Sequence, residues 1–124
     1  METGSTREYA GKKILELGAT VPNLCVVGAD LNKSTFTNLF AEKYPDRFFD
    51  VGIAEQNMIG LATGLALEGK KEVTYSIGNF GILRCLEQIR NDACYHETNI
   101  TIIANGGGFS YGSLGMSHHT TEDL

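Results

Sequence analysis

RFFDVGIAEQNMIGLATGLALEG, residues 47–69, decides the fold. Phe48, Phe49 and Val51 suit a short buried strand. Gly52 ends that run. Beyond it Met58, Leu61, Ala62, Leu65 and Ala66 recur at helical spacing, and Gly69 marks a C-terminal stop. The stretch therefore reads as strand, tight turn and helix, with Asp50 and Glu55 on either side of the turn. In an open α/β sheet the carboxyl ends of the strands are where ligands bind.

Working outward, residues 5–17 form a helix candidate with Tyr9, Ile14, Leu15 and Leu17 on one face. Residues 24–27 are a short apolar run ending at Gly28, Ala29 and Asp30, a buried strand. Ser34 suits the cap of a helix carrying Phe36, Leu39 and Phe40 and stopping before Pro45. Residues 72–77 read as a strand alternating around Val73 and Tyr75, and residues 78–81 as a turn. A helix is expected over 82–95, where Leu83, Leu86, Ile89, Arg90 and Cys94 repeat every three or four residues. A fourth strand follows at 99–104, then the loop NGGGFSYGSLGMSHH, then the first turn of a helix at 120–124. Strand and helix in alternation predict an α/β fold, a mostly parallel sheet with helices on both faces. A further helix and strand are expected after residue 124, so the chain reads as part of a longer protein.

The 124 residues allow one domain at most, and 42% hydrophobic with 20% charged residues is ordinary for a globular chain. Fifteen acidic against ten basic residues, net −5, argue against a nucleic-acid surface. No apolar run approaches the roughly 18–20 residues of a membrane span. The polar start, METGSTREYAGKK, has no secretory pattern. A cytoplasmic location is the default expectation. Cys25, Cys85 and Cys94 include no CxxC pair, which disfavours a disulfide framework or a zinc site; Cys25 suits a small core position. The glycine loop departs from GxGxxG and lacks a P-loop lysine, so it suits close backbone approach at the mouth of a site rather than a phosphate cradle.

DVGIAEQNM followed by GLATGLALEG, with EQIRND and SHHTTEDL downstream, resembles the pyrimidine-binding central domain of the transketolase family. The resemblance covers about residues 26–124. It implies thiamine diphosphate as cofactor and transfer of two-carbon ketol units between sugar phosphates. It also implies that Glu55 hydrogen-bonds a ring nitrogen of the aminopyrimidine and promotes its imino tautomer. Read from the residues alone, Glu55 is an ordinary first-turn acid that complements the helix dipole. Family position places Asp30 at the cofactor pocket, while Asp50 suits holding the turn through backbone N–H groups. Phe80 is the candidate for packing on the pyrimidine ring, although one aromatic stands where transketolases carry two or three. Arg84 matches an arginine of the synthase branch on the cofactor side; a solvated surface arginine is the alternative. Gln88 suits a structural or interface position.

His118 matches a family histidine that faces the substrate channel, a side chain suited to donating a proton or a hydrogen bond to a sugar oxygen. Leu114 stands where transketolases usually carry an aspartate, so their donor preference does not carry over. Adjacent histidines also raise the question of a metal, but neighbouring side chains in an extended loop diverge; His96 suits the surface. No GDG occurs in the chain. The diphosphate and its magnesium, or another divalent ion, are therefore expected on a separate domain or subunit, with the site at the interface of a homo- or hetero-oligomer. A deoxyxylulose phosphate synthase, a 2-oxo-acid dehydrogenase β subunit, and an inactive scaffold or partner-binding fragment are the other functions that the sequence leaves open.

Overall fold

The computed structural model describes residues 4–123. Four strands form one all-parallel sheet: β1 (Leu24–Gly28), β2 (Phe48–Asp50), β3 (Lys71–Ile77) and β4 (Ile100–Asn105), in the order β2-β1-β3-β4. The register sets Val26 beside Phe48 on one side and Val73 on the other, and Tyr75 beside Ile103. Helices cover both faces, as alternation of strand and helix dictates. On one face α1 (Thr6–Thr20) and α3 (Asn38–Lys43) bury Ile14 and Phe40 against Leu24, Val26, Val73 and Tyr75. On the other, α4 (Glu55–Leu67) packs Met58, Ile59 and Ala62 on Val27 and Ala29, with Cys85 beside them. Arg47 closes the first layer. Its guanidinium lies over Tyr44, 4.1 Å from the ring centre, and donates to the carbonyls of Gly18 and Val21 at the end of α1. Among the described residues, no helix is long and apolar enough to cross a membrane.

Several details differ from the sequence expectations. The helix expected after Ser34 is two short ones, α2 (Asn32–Thr35) and α3, broken at Phe36, whose φ is +60°. The Phe36 Cβ and carbonyl pack on Gly11 of α1, where any side chain would collide with them. Ser34 lies inside α2 rather than at its cap. β2 ends at Asp50, leaving Val51, expected in the strand, beyond it, and Pro45–Arg47 form a 3₁₀ turn before it. β3 does not alternate: Glu72, Thr74 and Ser76 are as buried as Val73 and Tyr75, because α4 and the segment after β3 cover the second face.

The segment over 78–94 contains no turn at 78–81. It is helical from Gly78, as a π turn (Asn79–Leu83), a short α5 (Leu86–Gln88) and a second π turn (Ile89–Cys94). Finally, residues 120–123 do not begin a helix. Thr120 pairs with Gly108 in an antiparallel bridge, N–H to carbonyl in both directions, and its side chain packs against Gly78. Leu124 lies outside the described residues.

Candidate functional site

The turn between β2 and α4 is built by Asp50. Its carboxylate accepts from the backbone N–H of Asp30 at 3.0 Å and of Gly52 at 2.9 Å, and from the Asn32 amide. Burial works to raise the Asp50 pKa, but these donors outweigh it and hold the group below its ordinary value. Gly52 turns the chain at φ +71°, a conformation that a side chain would strain. The turn delivers Glu55 as the first residue of α4, where the positive end of the helix dipole favours a carboxylate.

Glu55 is 2% exposed. Its Oε2 accepts from Arg84 Nη1 at 2.7 Å. The Arg84 guanidinium lies 4.6 Å from the centre of the Phe80 ring. Phe80 lies in the first π turn and Arg84 just past its end, where the Arg84 N–H donates to the Asn79 carbonyl, five residues back. Residues four apart share one face of a helix under either winding, so 80 and 84 lie together. His118 meets the Phe80 ring edge-on at 5.2 Å and the Tyr111 ring at 5.6 Å, and its Nδ1 is 2.9 Å from Ser117 Oγ. Glu55, Arg84, Phe80, His118 and Tyr111 thus form one unbroken chain of contacts across the strand ends. Cys85 underlies it. Burial and the Glu55 carboxylate push its thiol up to about 11, so it remains an S–H that donates to the Phe80 carbonyl at 3.3 Å.

The other candidates lie apart. Asp30, with φ +56°, lines a separate cavity with Leu31, Asn32 and Ser34. His119 turns away from His118: its ring meets Phe109 and its Nε2 faces the Gly112 carbonyl. His96 bonds the Asn91 and Asp92 carbonyls on the outer side of the second π turn. Gln88 bonds Glu87. Leu114 is exposed in a 3₁₀ turn, Gly112–Leu114. Among the described residues, no three His, Cys, Asp or Glu side chains come together to hold a metal ion.

A feature absent from the sequence expectations is a cavity of about 550 Å³ between the start of α1, the end of β4 and the glycine loop. Arg7, Tyr75, Asn105, Ser110 and Tyr111 line it. Among the described residues, no carboxylate pairs with Arg7, whose Nη1 reaches Ser34 Oγ at 3.4 Å. Burial raises the Tyr75 phenol above its ordinary value against the pull of Arg7, so it stays protonated and can donate. Asn105 donates to the Tyr111 hydroxyl at 3.1 Å. Gly106 is obligatory here: at φ +76°, a Cβ on it would sit 2.1 Å from the Tyr111 ring. Tyr111 therefore joins this cavity to the Glu55 chain through His118. One signal for it exists in the sequence. Arg7 lies in the first turn of α1, where the helix dipole disfavours a cation unless an anion comes to it.

Residues 2–124 match the family described as "Transketolase, pyrimidine binding domain". The chain belongs to that family. A putative transketolase C-terminal section from Methanocaldococcus jannaschii is 44% identical over 118 residues, 95% of this chain and 37% of that protein. One subunit of an apulose-4-phosphate transketolase from Actinobacillus succinogenes is 41% identical over 102 residues, 82% of this chain and 33% of that one. Among solved structures, a split-gene transketolase described as an inactive β4 tetramer superposes with a TM-score of 0.80 at 44% identity, over 96% of this chain and 38% of its own. The chain thus spans less than two fifths of the relatives it matches.

Proposed function

We propose that this chain supplies the aminopyrimidine half of a thiamine diphosphate site in a transketolase-type enzyme that moves two-carbon ketol units between sugar phosphates. The contact chain from Glu55 to Tyr111 carries the proposal. A buried carboxylate at a helix start, beside a half-buried aromatic face, suits a flat nitrogen heterocycle. The residues present do not suit the diphosphate and its metal ion, for which this chain offers no acidic cluster among its described residues. That half belongs to a partner domain or subunit, with magnesium or another divalent ion. One relative is named as a subunit and another is inactive as a β4 tetramer, and both facts support the need for a partner.

When bound, thiamine diphosphate supplies the nucleophilic carbon that takes up the two-carbon unit. Glu55 exchanges a proton with the pyrimidine ring. Phe80 holds that ring flat. His118, fixed by Ser117 and two aromatic edges, donates to a sugar oxygen. Arg7 and Ser34, with the phenol of Tyr75, take the substrate's phosphate. A guanidinium with no carboxylate partner among the described residues, beside hydroxyl donors, is suited to a phosphate, and a relative named for apulose-4-phosphate fits that chemistry.

The test uses the complete enzyme and ketoses with and without a phosphate. Arg7→Ala should raise KM for the phosphorylated sugar about 10- to 100-fold, the loss expected for a charge-assisted hydrogen bond. KM for the unphosphorylated sugar should stay unchanged. Equal effects on both sugars would remove Arg7 from the phosphate. Separately, His118→Ala should lower kcat/KM about 10- to 100-fold with sugar substrates while the cofactor Kd stays within about twofold. A cofactor titration beside the steady-state kinetics separates the two, and lost cofactor affinity with kcat preserved at saturation would move His118 from the substrate to the cofactor.

A further inference from the structure

The Arg84 guanidinium makes both contacts that the proposed site offers to an aminopyrimidine ring. It is planar and rich in nitrogen. It presents an N–H to Glu55 Oε2 at 2.7 Å, and its centre lies 4.6 Å from the middle of the Phe80 ring. Glu55 is almost fully buried beneath it, whereas the Arg84 side chain is 45% exposed and has solvent to move into. Its anchor is the π turn, which fixes the backbone at residue 84 and leaves the long side chain free to rotate.

We infer that Arg84 is an internal stand-in for the aminopyrimidine ring: it occupies the ring's seat on Glu55 and Phe80 in the cofactor-free protein and swings outward when the cofactor enters. The inference rests on the function proposed above and deepens it. The physical need is plain. A carboxylate buried without a partner is costly, so Glu55 needs a cation against it whenever no ring is bound. The same cover competes with the cofactor, because only molecules with Arg84 swung out can accept the ring, and apparent affinity falls with that fraction. An arginine suits the exchange better than a lysine, since its flat fork can stack on Phe80 and bond Glu55 at once.

The experiment compares Arg84→Met, Arg84→Lys and Glu55→Gln in the complete enzyme. The readouts are thiamine diphosphate affinity, its association rate with magnesium present, and the melting temperature without cofactor. Arg84→Met should bind the cofactor about 3- to 10-fold more tightly and faster, the range set by releasing one partly exposed ion pair. It should also melt a few degrees lower, roughly 2–4 °C, when cofactor is absent. Arg84→Lys, which keeps the charge but not the stack, should fall between. Weaker or unchanged cofactor binding in Arg84→Met would overturn the inference, since a direct ligand or a bystander gives those results. Failure of the underlying function has a different signature. Glu55→Gln would then keep full cofactor affinity and turnover, whatever Arg84→Met does.

Discussion

Glu55→Gln should abolish turnover in the complete enzyme, by about 100- to 10,000-fold in kcat, while the fold survives. The amide has the shape of the carboxyl group and can still accept a bond from Arg84 through its oxygen. It cannot exchange a proton with a ring nitrogen. The loss should appear in the step that this exchange serves. Solvent deuterium should enter the thiazolium carbon of bound cofactor far more slowly in the variant than in the parent protein. Circular dichroism and the melting temperature should change little, because Glu55 lies at the start of α4 rather than in the packed layer of Met58, Ile59 and Ala62. Unchanged deuterium exchange would remove Glu55 from the proton path. It would leave only its dipole-complementing role at the helix start.

The parts of this site that are legible in the sequence are local. Asp50, Gly52 and Glu55 lie within six positions of one another, and a strand, a glycine and a helical repeat place them without reference to the rest of the chain. The layering of the sheet is legible for a similar reason, since each strand is a short apolar run followed by a periodic one. What escapes depends on contacts between distant residues. Phe36, where the helix breaks, packs on Gly11, twenty-five positions away. Thr120 is held by Gly108 and Gly78 rather than by its own neighbours.

The π turns escape because Leu83, Leu86 and Ile89 keep an apolar face under either winding, so the repeat does not distinguish them. Only the structure shows that the wider turn starts at the end of β3 and that the Arg84 guanidinium lies over the Phe80 ring. Arg7 joins a cavity with Tyr75 and Tyr111, which belong to a strand and a loop far along the chain. Its position in a helical first turn is the one visible anomaly.

Glu72 is the remaining anomaly, and its expected effect on stability is large. On an alternating strand it would be a surface acid, yet it is 1% exposed, and neither carboxyl oxygen has a hydrogen-bond partner among the described residues. Burial pushes its pKa up from 4.5 to about 7, against smaller opposing contributions from the Cys25 thiol and the Lys70 charge. In the unfolded chain the group returns to its ordinary value near 4.5. Between those two values the folded state holds the proton that the unfolded state has lost, so stability falls as pH rises. The full contribution is present below about pH 4.5 and is gone above about pH 7. By linkage the loss is about 3 kcal/mol, or roughly 10 °C in melting temperature for a domain of this size.

Glu72→Gln, an isostere of the neutral acid, lacks that titration. Parent and variant should melt together at about pH 4.5, and the variant should melt roughly 10 °C higher at about pH 8. Denaturation curves in urea at the two pH values measure the same difference as a shift in midpoint. If the two proteins follow parallel curves across the whole range, Glu72 is ionised and solvated in the folded state. The second face of β3 would then be open to water at its lower end, contrary to the packing of α4 over that strand.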